Sequence, residues 1–278
     1  MKPEGGGHHL MIDGPFTGRG LERLTVLCGL SSLSFFWHTS ELAPRDLAPL
    51  SALPNLQFFG CSGELCNDEA MRSIAAIPRL RMLLAQGTVA TDDGFAALAR
   101  SRTLEYVWGR ECPNLQSRGF AALARMPALR GLAVSCQHVD DSALAELPRS
   151  TTLTELLPMD VGDEGFRHVG QCAGLESLWC MYCRDTTDRA TEHIVGLPRL
   201  KRYYAGASRI TDRSLELLSR MPTLERVEIY ECLDVSNHGL AFLATLPKLR
   251  EIALAGLPRV TRVGTHVFPQ HVHVDYVP

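Results

Sequence analysis

The chain has 278 residues, of which 45% are hydrophobic and 21% charged, and it carries a formal net charge of −3 with a pI near 6.4. This balance gives no basic surface for nucleic acid or for an anionic membrane, so we expect neither as a partner. Residues 1–7 include a lysine but no apolar run, and the most apolar stretch, residues 24–37, is broken by glycine and serine, so the sequence predicts neither a signal peptide nor a membrane span.

The cysteines indicate a reducing compartment. There are nine of them, an odd number, and most fall on repeat positions rather than in pairs. Without an export signal this usage favours reduced thiols over disulfides, and it predicts a cytoplasmic protein.

A leucine recurs every 22 to 25 residues through almost the whole chain. A fixed period in this range predicts a solenoid, in which each repeat forms one coil and stacks on its neighbours. The recurring leucines are Leu33, Leu56, Leu80, Leu104, Leu129, Leu153, Leu175, Leu200, Leu224 and Leu249.

Each repeat, numbered from its leucine, begins with a predicted strand. Positions one, four and six are apolar, as in Leu80, Leu83 and Ala85, and they form the predicted core. Positions three, five and seven then face the opposite side, because side chains alternate along a strand. All strands run the same way round, so the sheet is predicted to be parallel.

A turn rich in Asp and Thr follows each strand and leads into a helical segment, as in Thr91-Asp92-Asp93-Gly94. Such side chains accept hydrogen bonds from the first free N–H groups of a helix. A proline ends many of the helices and leads into the next strand.

The two ends of the chain are predicted to cap the solenoid. Leu10 and Ile12 look like a degenerate first coil, residues 1–9 are expected to be disordered, and Val272, Val274 and Tyr276 alternate like a closing strand. The predicted division is residues 1–23 as a tail and capping coil, 24–264 as a solenoid of about ten coils, and 265–278 as a capping strand.

The segment ITDRSLELLSRMPTLERVEIYEC, from Ile210 to Cys232, resembles the cysteine-containing class of leucine-rich repeat, known from F-box substrate receptors. The resemblance implies an α/β horseshoe with parallel strands on its concave face, helices on its convex face and a protein-binding concave surface. Only Cys112, Cys183 and Cys232 hold the class's cysteine at position nine, and no F-box-like segment precedes the repeats. A role as a ubiquitin-ligase adaptor is therefore not expected.

The predicted open face of the strands is aromatic. In this numbering Trp37, Trp108 and Trp179 all hold position five, at two equal separations of 71 residues. Exposed apolar patches of this kind usually bind partners, and tryptophan and tyrosine dominate binding hot spots. The predicted partner-binding residues are Phe35, Trp37, Phe58, Met82, Leu84, Tyr106, Trp108, Arg110, Leu157, Met159, Trp179, Met181 and Tyr204.

The sequence therefore predicts a non-enzymatic scaffold that binds a protein or peptide. Two alternatives stay open, with the oligomeric state undetermined: a self-associating structural protein, and an enzyme or accessory subunit with a site near Cys136 and Asp160. Position eight is expected to expose the Cys136 thiol beside a polar group, which is either a site or a rim. That group is Arg110, Glu111, Cys136, Asp160, Tyr182 and Arg184.

Motifs for bound groups are weak, so we expect no metal and no cofactor. The pair Cys180 and Cys183 forms a C-x-x-C, but both hold core positions of the repeat and no second pair lies at zinc-ligand spacing. His271 and His273 lack a third ligand, and no glycine-rich phosphate loop is present.

Overall fold

The computed structural model describes residues 7–278. These residues form two compact units that divide between Glu146 and Leu147. None of their helices combines the length and apolarity needed to cross a bilayer.

The first unit contains six parallel strands that pair in chain order. Five α-helices and two 3-10 helices (Pro44–Ala52 and Gly63–Leu65) connect them. The strands are β1 (His8–Ile12), β2 (Leu30–Phe35), β3 (Phe58–Ser62), β4 (Met82–Gln86), β5 (Tyr106–Gly109) and β6 (Gly131–Ser135). The helices are α1 (Gly18–Leu24), α2 (Asp68–Ala75), α3 (Asp92–Leu98), α4 (Ser117–Ala124) and α5 (Asp141–Leu144).

The second unit repeats this plan with six more parallel strands in chain order. It also holds four α-helices and two 3-10 helices (Leu147–Arg149 and Gly264–Val267). The strands are β7 (Glu155–Met159), β8 (Ser177–Met181), β9 (Arg202–Gly206), β10 (Arg226–Tyr230), β11 (Glu251–Ala255) and β12 (His273–Val277). The helices are α6 (Asp163–Val169), α7 (Asp188–Ile194), α8 (Asp212–Leu218) and α9 (Asn237–Leu243).

Positions one, four and six form the core in both units, as the repeat pattern predicts. Leu80, Leu83 and Ala85 are at most 2% exposed, and the apolar helix residues Phe95 and Leu98 are as deeply buried. Burying such side chains is the main stabilising contribution, about 1.5–3 kcal/mol for each large one.

Helix caps also tie neighbouring coils together. The Thr187 hydroxyl accepts a hydrogen bond from the backbone N–H of Arg189 at the start of α7. Its own N–H and O–H donate to the Asp163 carboxylate in the preceding coil, both at 2.7 Å. Thr211 makes the same pair of bonds with Asp188, so the Asp and Thr of the turn motif serve coil-to-coil contact as well as capping.

The first coil departs from the predicted numbering. Leu33 pairs with Phe59 and Ser34 with Gly60, so Leu33 holds position four and the coil begins at Leu30. The step from Leu30 to Leu56 is 26 residues, longer than any other, because this coil contains the 3-10 helix Pro44–Ala52. The prediction that Leu33 opens its coil is wrong, and from Leu56 onward the numbering holds.

The N-terminus is also more ordered than predicted. His8 and His9 begin β1, which pairs with β2 and places Leu10 opposite Leu33. The expected disorder is therefore wrong for these two histidines, because parallel pairing with β2 holds them. Residues 1–6 lie outside the described part of the chain.

Candidate protein-binding site

Trp37 lies beyond the end of β2, and the structure corrects its predicted place. Counted from Leu30 it holds position eight, not position five. Its side chain is still the most exposed of the three tryptophans, at 66%. The equal spacing of the tryptophans therefore arises from the long first coil and does not mark a common position.

Phe35 is a core residue rather than a binding residue. In the corrected numbering it holds position six, and it is only 5% exposed. Its ring packs against Phe16 at 6.0 Å and edge-on to Phe59 at 5.8 Å. The prediction for Phe35 is wrong for the same reason as that for Trp37.

One row of position-five side chains crosses the first unit. Strand pairing places Met11 beside Ser34, Ser34 beside Gly60, Gly60 beside Leu84, and Leu84 beside Trp108. Leu84 and Trp108 are 36% and 38% exposed, and Met11 is 64% exposed. Large exposed apolar side chains therefore flank the small residues Ser34 and Gly60. We call this surface the aromatic face, defined by Met11, Phe36, Trp37, Phe58, Leu84 and Trp108.

A hollow lies where the row is small. Gly60 and Ser34 line it side by side, and a Cβ at Gly60 would lie only 2.9 Å from the Ser34 Oγ. The hollow has a volume of about 420 Å³, and no Asp, Glu, Lys or Arg lines it. Its walls include Met11, Phe36, Trp37, Phe58 and Leu84, and its polar atoms come from His9, Ser32, Ser34, Ser62 and Gln86.

Several lining residues were missed by the sequence reasoning. Met11, Ser34, Phe36, Ser62 and Gln86 are not among the predicted binding residues. The sequence does contain a signal for this hollow: at position five of neighbouring coils, the small residues Ser34 and Gly60 stand between the large residues Met11 and Leu84. Numbering the first coil from Leu33 instead of Leu30 concealed it.

Position three of the same unit is less exposed than predicted. Phe58 and Met82 are half-buried, and Tyr106 is only 8% exposed. Gly131 pairs with Tyr106 on the next strand, and a Cβ at Gly131 would lie 2.4 Å from the tyrosine ring. The expected exposure of Tyr106 is wrong because its ring fills the space over this glycine. Arg110, at position seven, is exposed as expected.

The predicted residues of the second unit pack mainly on one another. The Trp179 ring stacks on Tyr204 at 5.4 Å, and Tyr204 lies 5.2 Å from Tyr230. The Trp179 indole N–H donates to the Ser177 hydroxyl at 2.7 Å. Burial, and secondarily the Glu228 carboxylate, raises the pKa of Tyr204 to about 12. This ladder is half-buried, so it exposes less apolar surface than the aromatic face.

Leu157 and Met181 are also half-buried in the second unit, whereas Met159 is only 2% exposed. The expected exposure of Met159 is wrong: the residue is buried like a core residue, and a flexible thioether side chain adapts readily to such a place.

Charged side chains at positions three and five of this unit are paired. Arg226 contacts Glu228 at 2.7 Å and Glu251 at 3.0 Å, while Arg202 reaches Glu155 at 3.3 Å. Glu228 is only 7% exposed and also accepts a hydrogen bond from the Tyr230 hydroxyl at 3.1 Å. These arginine and glutamate side chains therefore neutralise one another within the unit.

Cys136 is buried, which contradicts its predicted exposure. In the other coils from Leu56 onward position eight adopts a left-handed backbone, with φ of 56° at Glu111 and 58° at Tyr182, but Cys136 does not. Its sulfur lies 3.5 Å from the carbonyl oxygen two residues earlier, as the position-nine Cys232 sulfur does at 3.4 Å. The chain has one residue fewer between Leu129 and Cys136 than between Leu224 and Cys232. Cys136 therefore takes the buried place of position nine and is 4% exposed.

The predicted polar cluster does not provide an accessible nucleophile. Cys136 belongs with Arg110 and Glu111 to the first unit, and Asp160, Tyr182 and Arg184 to the second. Asp160 is exposed to solvent, but partial burial of its carboxyl group still raises the pKa, while Arg184 opposes that shift. A buried thiol and an exposed carboxylate do not make the nucleophile–base pair that the enzyme hypothesis requires.

The C-x-x-C cysteines are structural, in agreement with the repeat pattern. Cys180 and Cys183 are 3% and 0% exposed. Burial raises the pKa of Cys183 to about 12, so its thiol is protonated at neutral pH.

The structure contains one disulfide among residues 7–278, between Cys61 and Cys66, against the prediction of reduced thiols. Cys61 holds position six, and the 3-10 turn Gly63–Leu65 brings Cys66 back to the same interior side with a Cα–Cα distance of 6.3 Å. This separation is within the usual range for a disulfide. The remaining described cysteines are free, and Cys28 alone of these is exposed.

No group of three or more His, Cys, Asp or Glu within residues 7–278 is arranged to hold a metal ion. The described side chains therefore offer no candidate metal centre to set beside the aromatic face.

Comparison with known proteins identifies the fold. No protein-family model and no curated protein matches the sequence. The chain is similar to a solved structure of the yeast Rad7 and Elc1 complex, with a TM-score of 0.66 and 21% identity over 92% of this chain and 72% of that chain. It is also similar to an internalin (inlF) from Listeria monocytogenes, with a TM-score of 0.50 and 14% identity over 93% of this chain and 77% of that chain.

The fold is a leucine-rich-repeat solenoid. At 21% and 14% identity the similarity is evidence for the fold and carries no function by itself.

Proposed function

We propose that this leucine-rich-repeat protein is a non-catalytic scaffold that binds another protein or a peptide through the aromatic face of its first unit. The observation that carries the proposal is the adjacent pair Leu84 and Trp108, exposed on the strand face next to an uncharged hollow. Large apolar side chains in this setting usually contact a partner.

The alternative of ordinary core packing is disfavoured by the repeat itself. Positions one, four and six already fill the interior, as the burial of Leu80, Leu83 and Ala85 illustrates. Trp108 at position five lies on the other side of the same strands, where it is 38% exposed. Packing of the core therefore does not require a tryptophan at this exposed position.

The hollow beside Gly60 is suited to anchor one apolar side chain of the partner. Its volume of about 420 Å³ falls in the range of ligand pockets. The absence of charge from its walls favours an uncharged group, and the Ser and Gln side chains can bond the partner's backbone. A side chain seated there would lie between Met11 and Leu84.

The structural neighbours support this class of function by analogy. Rad7 was crystallised in a complex with Elc1, which is a protein partner. Nothing is transferred from that complex about the position of the interface or the identity of a partner.

Selection of displayed random peptides on the immobilised protein tests the proposal. We expect enrichment on the native chain and its loss on Leu84→Ser, which interrupts the aromatic face. Val26→Ser is the matched control, since Val26 is 75% exposed and lies outside the hollow. Equal enrichment on native protein and Leu84→Ser, or no enrichment at all, would overturn the proposal.

A further inference from the structure

A second hollow is also lined by Trp37. It has a volume of about 440 Å³ and shares Phe35, Phe36, Trp37, Ser62 and Gln86 with the uncharged hollow. The Trp37 side chain thus forms a wall of both, and a ligand in one hollow is a direct neighbour of a ligand in the other.

The second hollow differs from the first in charge. Glu64 and Glu111 line it, and no Lys or Arg does. Both glutamates are exposed, so their carboxylates are hydrated and no cost of burial opposes their negative charge. The hollow therefore has a negative potential.

The backbone holds one of these glutamates in place. Glu111 adopts a left-handed conformation with φ of 56°, and its N–H donates to the Ser135 hydroxyl at 3.1 Å. Its carboxylate Oε2 would lie 4.0 Å from a Cβ at Gly87, so this glycine leaves room beside the carboxylate. The carboxylate thus lies near Gly87, which lines the same hollow.

Trp37 supplies the third feature. Its indole is 66% exposed, and the π-face of tryptophan is the strongest aromatic partner for a cation. A planar guanidinium can stack on an indole while it donates in parallel to a carboxylate, which an ammonium cannot do as well.

We infer that the second hollow binds an arginine side chain of the partner, held by Trp37, Glu64 and Glu111. The inference rests on the proposed function, in that the partner places this arginine beside the apolar side chain that fills the first hollow. The recognised feature is therefore an apolar residue next to an arginine.

A titration with two small probes tests this without knowledge of the partner. N-acetyl-arginine methylamide is the cation, and N-acetyl-citrulline methylamide is its neutral counterpart of nearly the same shape. Binding is followed at low ionic strength, where exposed charges are least screened, by the NMR signal of the Trp37 indole N–H. A Trp37→Phe variant assigns that signal.

We expect saturable binding of the arginine probe and binding of the citrulline probe at least fivefold weaker. The double variant Glu64→Gln and Glu111→Gln should weaken the arginine probe at least fivefold. The double variant Glu22→Gln and Glu69→Gln has the same net charge but alters exposed carboxylates outside the hollow, and it should bind within twofold of the native protein.

Equal affinity for the two probes, no loss in the first double variant, or no saturable shift would each overturn the inference. Peptide selection separates this result from the proposed function. Selected peptides that bind the native protein but lack arginine would reject the second hollow and retain the aromatic face. Binding of the arginine probe without any selected peptide would retain the second hollow as an arginine site and reject the aromatic face as a peptide-binding surface.

Discussion

The ring of Tyr106 lies over Gly131, its pairing partner on the next strand, and occupies the space where a side chain at that position would begin. This contact explains why a tyrosine on the open side of the strands is only 8% exposed. It also makes position 131 intolerant of a side chain.

We therefore predict that Gly131→Ala destabilises the protein by about 1–3 kcal/mol, because the new Cβ displaces the tyrosine ring. Urea denaturation of the native and variant chains measures the difference. Gly196→Ala is the matched control, since a Cβ there meets open space, and its free energy of unfolding should change by less than about 0.5 kcal/mol or rise. Equal stability of Gly131→Ala and native protein would refute the contact.

The free cysteines are predicted to differ sharply in accessibility. Cys28 is exposed and should react with a maleimide first, whereas Cys136, at 4% exposure, should react as slowly as Cys112 and Cys232. Cys61 and Cys66 should label only after reduction. Brief labelling followed by mass-spectrometric mapping measures this order, and early modification of Cys136 would restore the enzyme hypothesis.

Stability is predicted to fall at alkaline pH. Burial raises the pKa of Cys112, Cys172 and Cys183 from 9.0 to about 12 in the folded protein. Between pH 9 and 12 the unfolded chain has lost these protons and the folded chain has kept them, so each thiol lowers the free energy of unfolding by about 1.4 kcal/mol per pH unit.

Denaturation at several pH values in this window measures the slope. Cys112→Ala should make it shallower by the contribution of one thiol, and Cys28→Ala, at an exposed position, should leave it nearly unchanged. A slope that Cys112→Ala does not alter would show that this thiol titrates normally in the folded state.

The three tryptophans are predicted to differ in their quenching by acrylamide. In variants that keep a single tryptophan, Trp37 should be quenched fastest, because it is 66% exposed. Trp108 should follow at 38% exposure, and Trp179, stacked on Tyr204, should be slowest. Slow quenching of Trp37 in solution would indicate that a second copy covers the aromatic face, and light scattering would then detect the dimer.

Much of the fold could be predicted because the leucine period reports directly on core packing. From Leu56 onward the predicted strand positions match the observed strand pairing, as in Met82 beside Tyr106. The errors arose where a coil changes length. The extended 3-10 segment of the first coil shifted Trp37 and Phe35, and the shortened turn at Cys136 moved a thiol inward.

The candidate site was less predictable, because it depends on small residues that leave space as much as on the large residues that surround it. The hollow exists because Ser34 and Gly60 are small where Met11 and Leu84 are large. Periodicity identifies which residues face outward but does not show how far neighbouring side chains cover them. Tyr106 over Gly131 is the case in which a neighbouring glycine reversed the expected exposure.

The central claim is that the aromatic face of the first unit binds a peptide, and the affinity of one selected peptide for two tryptophan variants tests it most directly. Isothermal titration calorimetry should show at least tenfold weaker binding to Trp108→Ala, as for a typical hot spot. Trp179→Ala, which removes an indole from the stacked ladder of the second unit, should bind within twofold of native protein. Native-like affinity of Trp108→Ala, with both variants folded, would contradict the account.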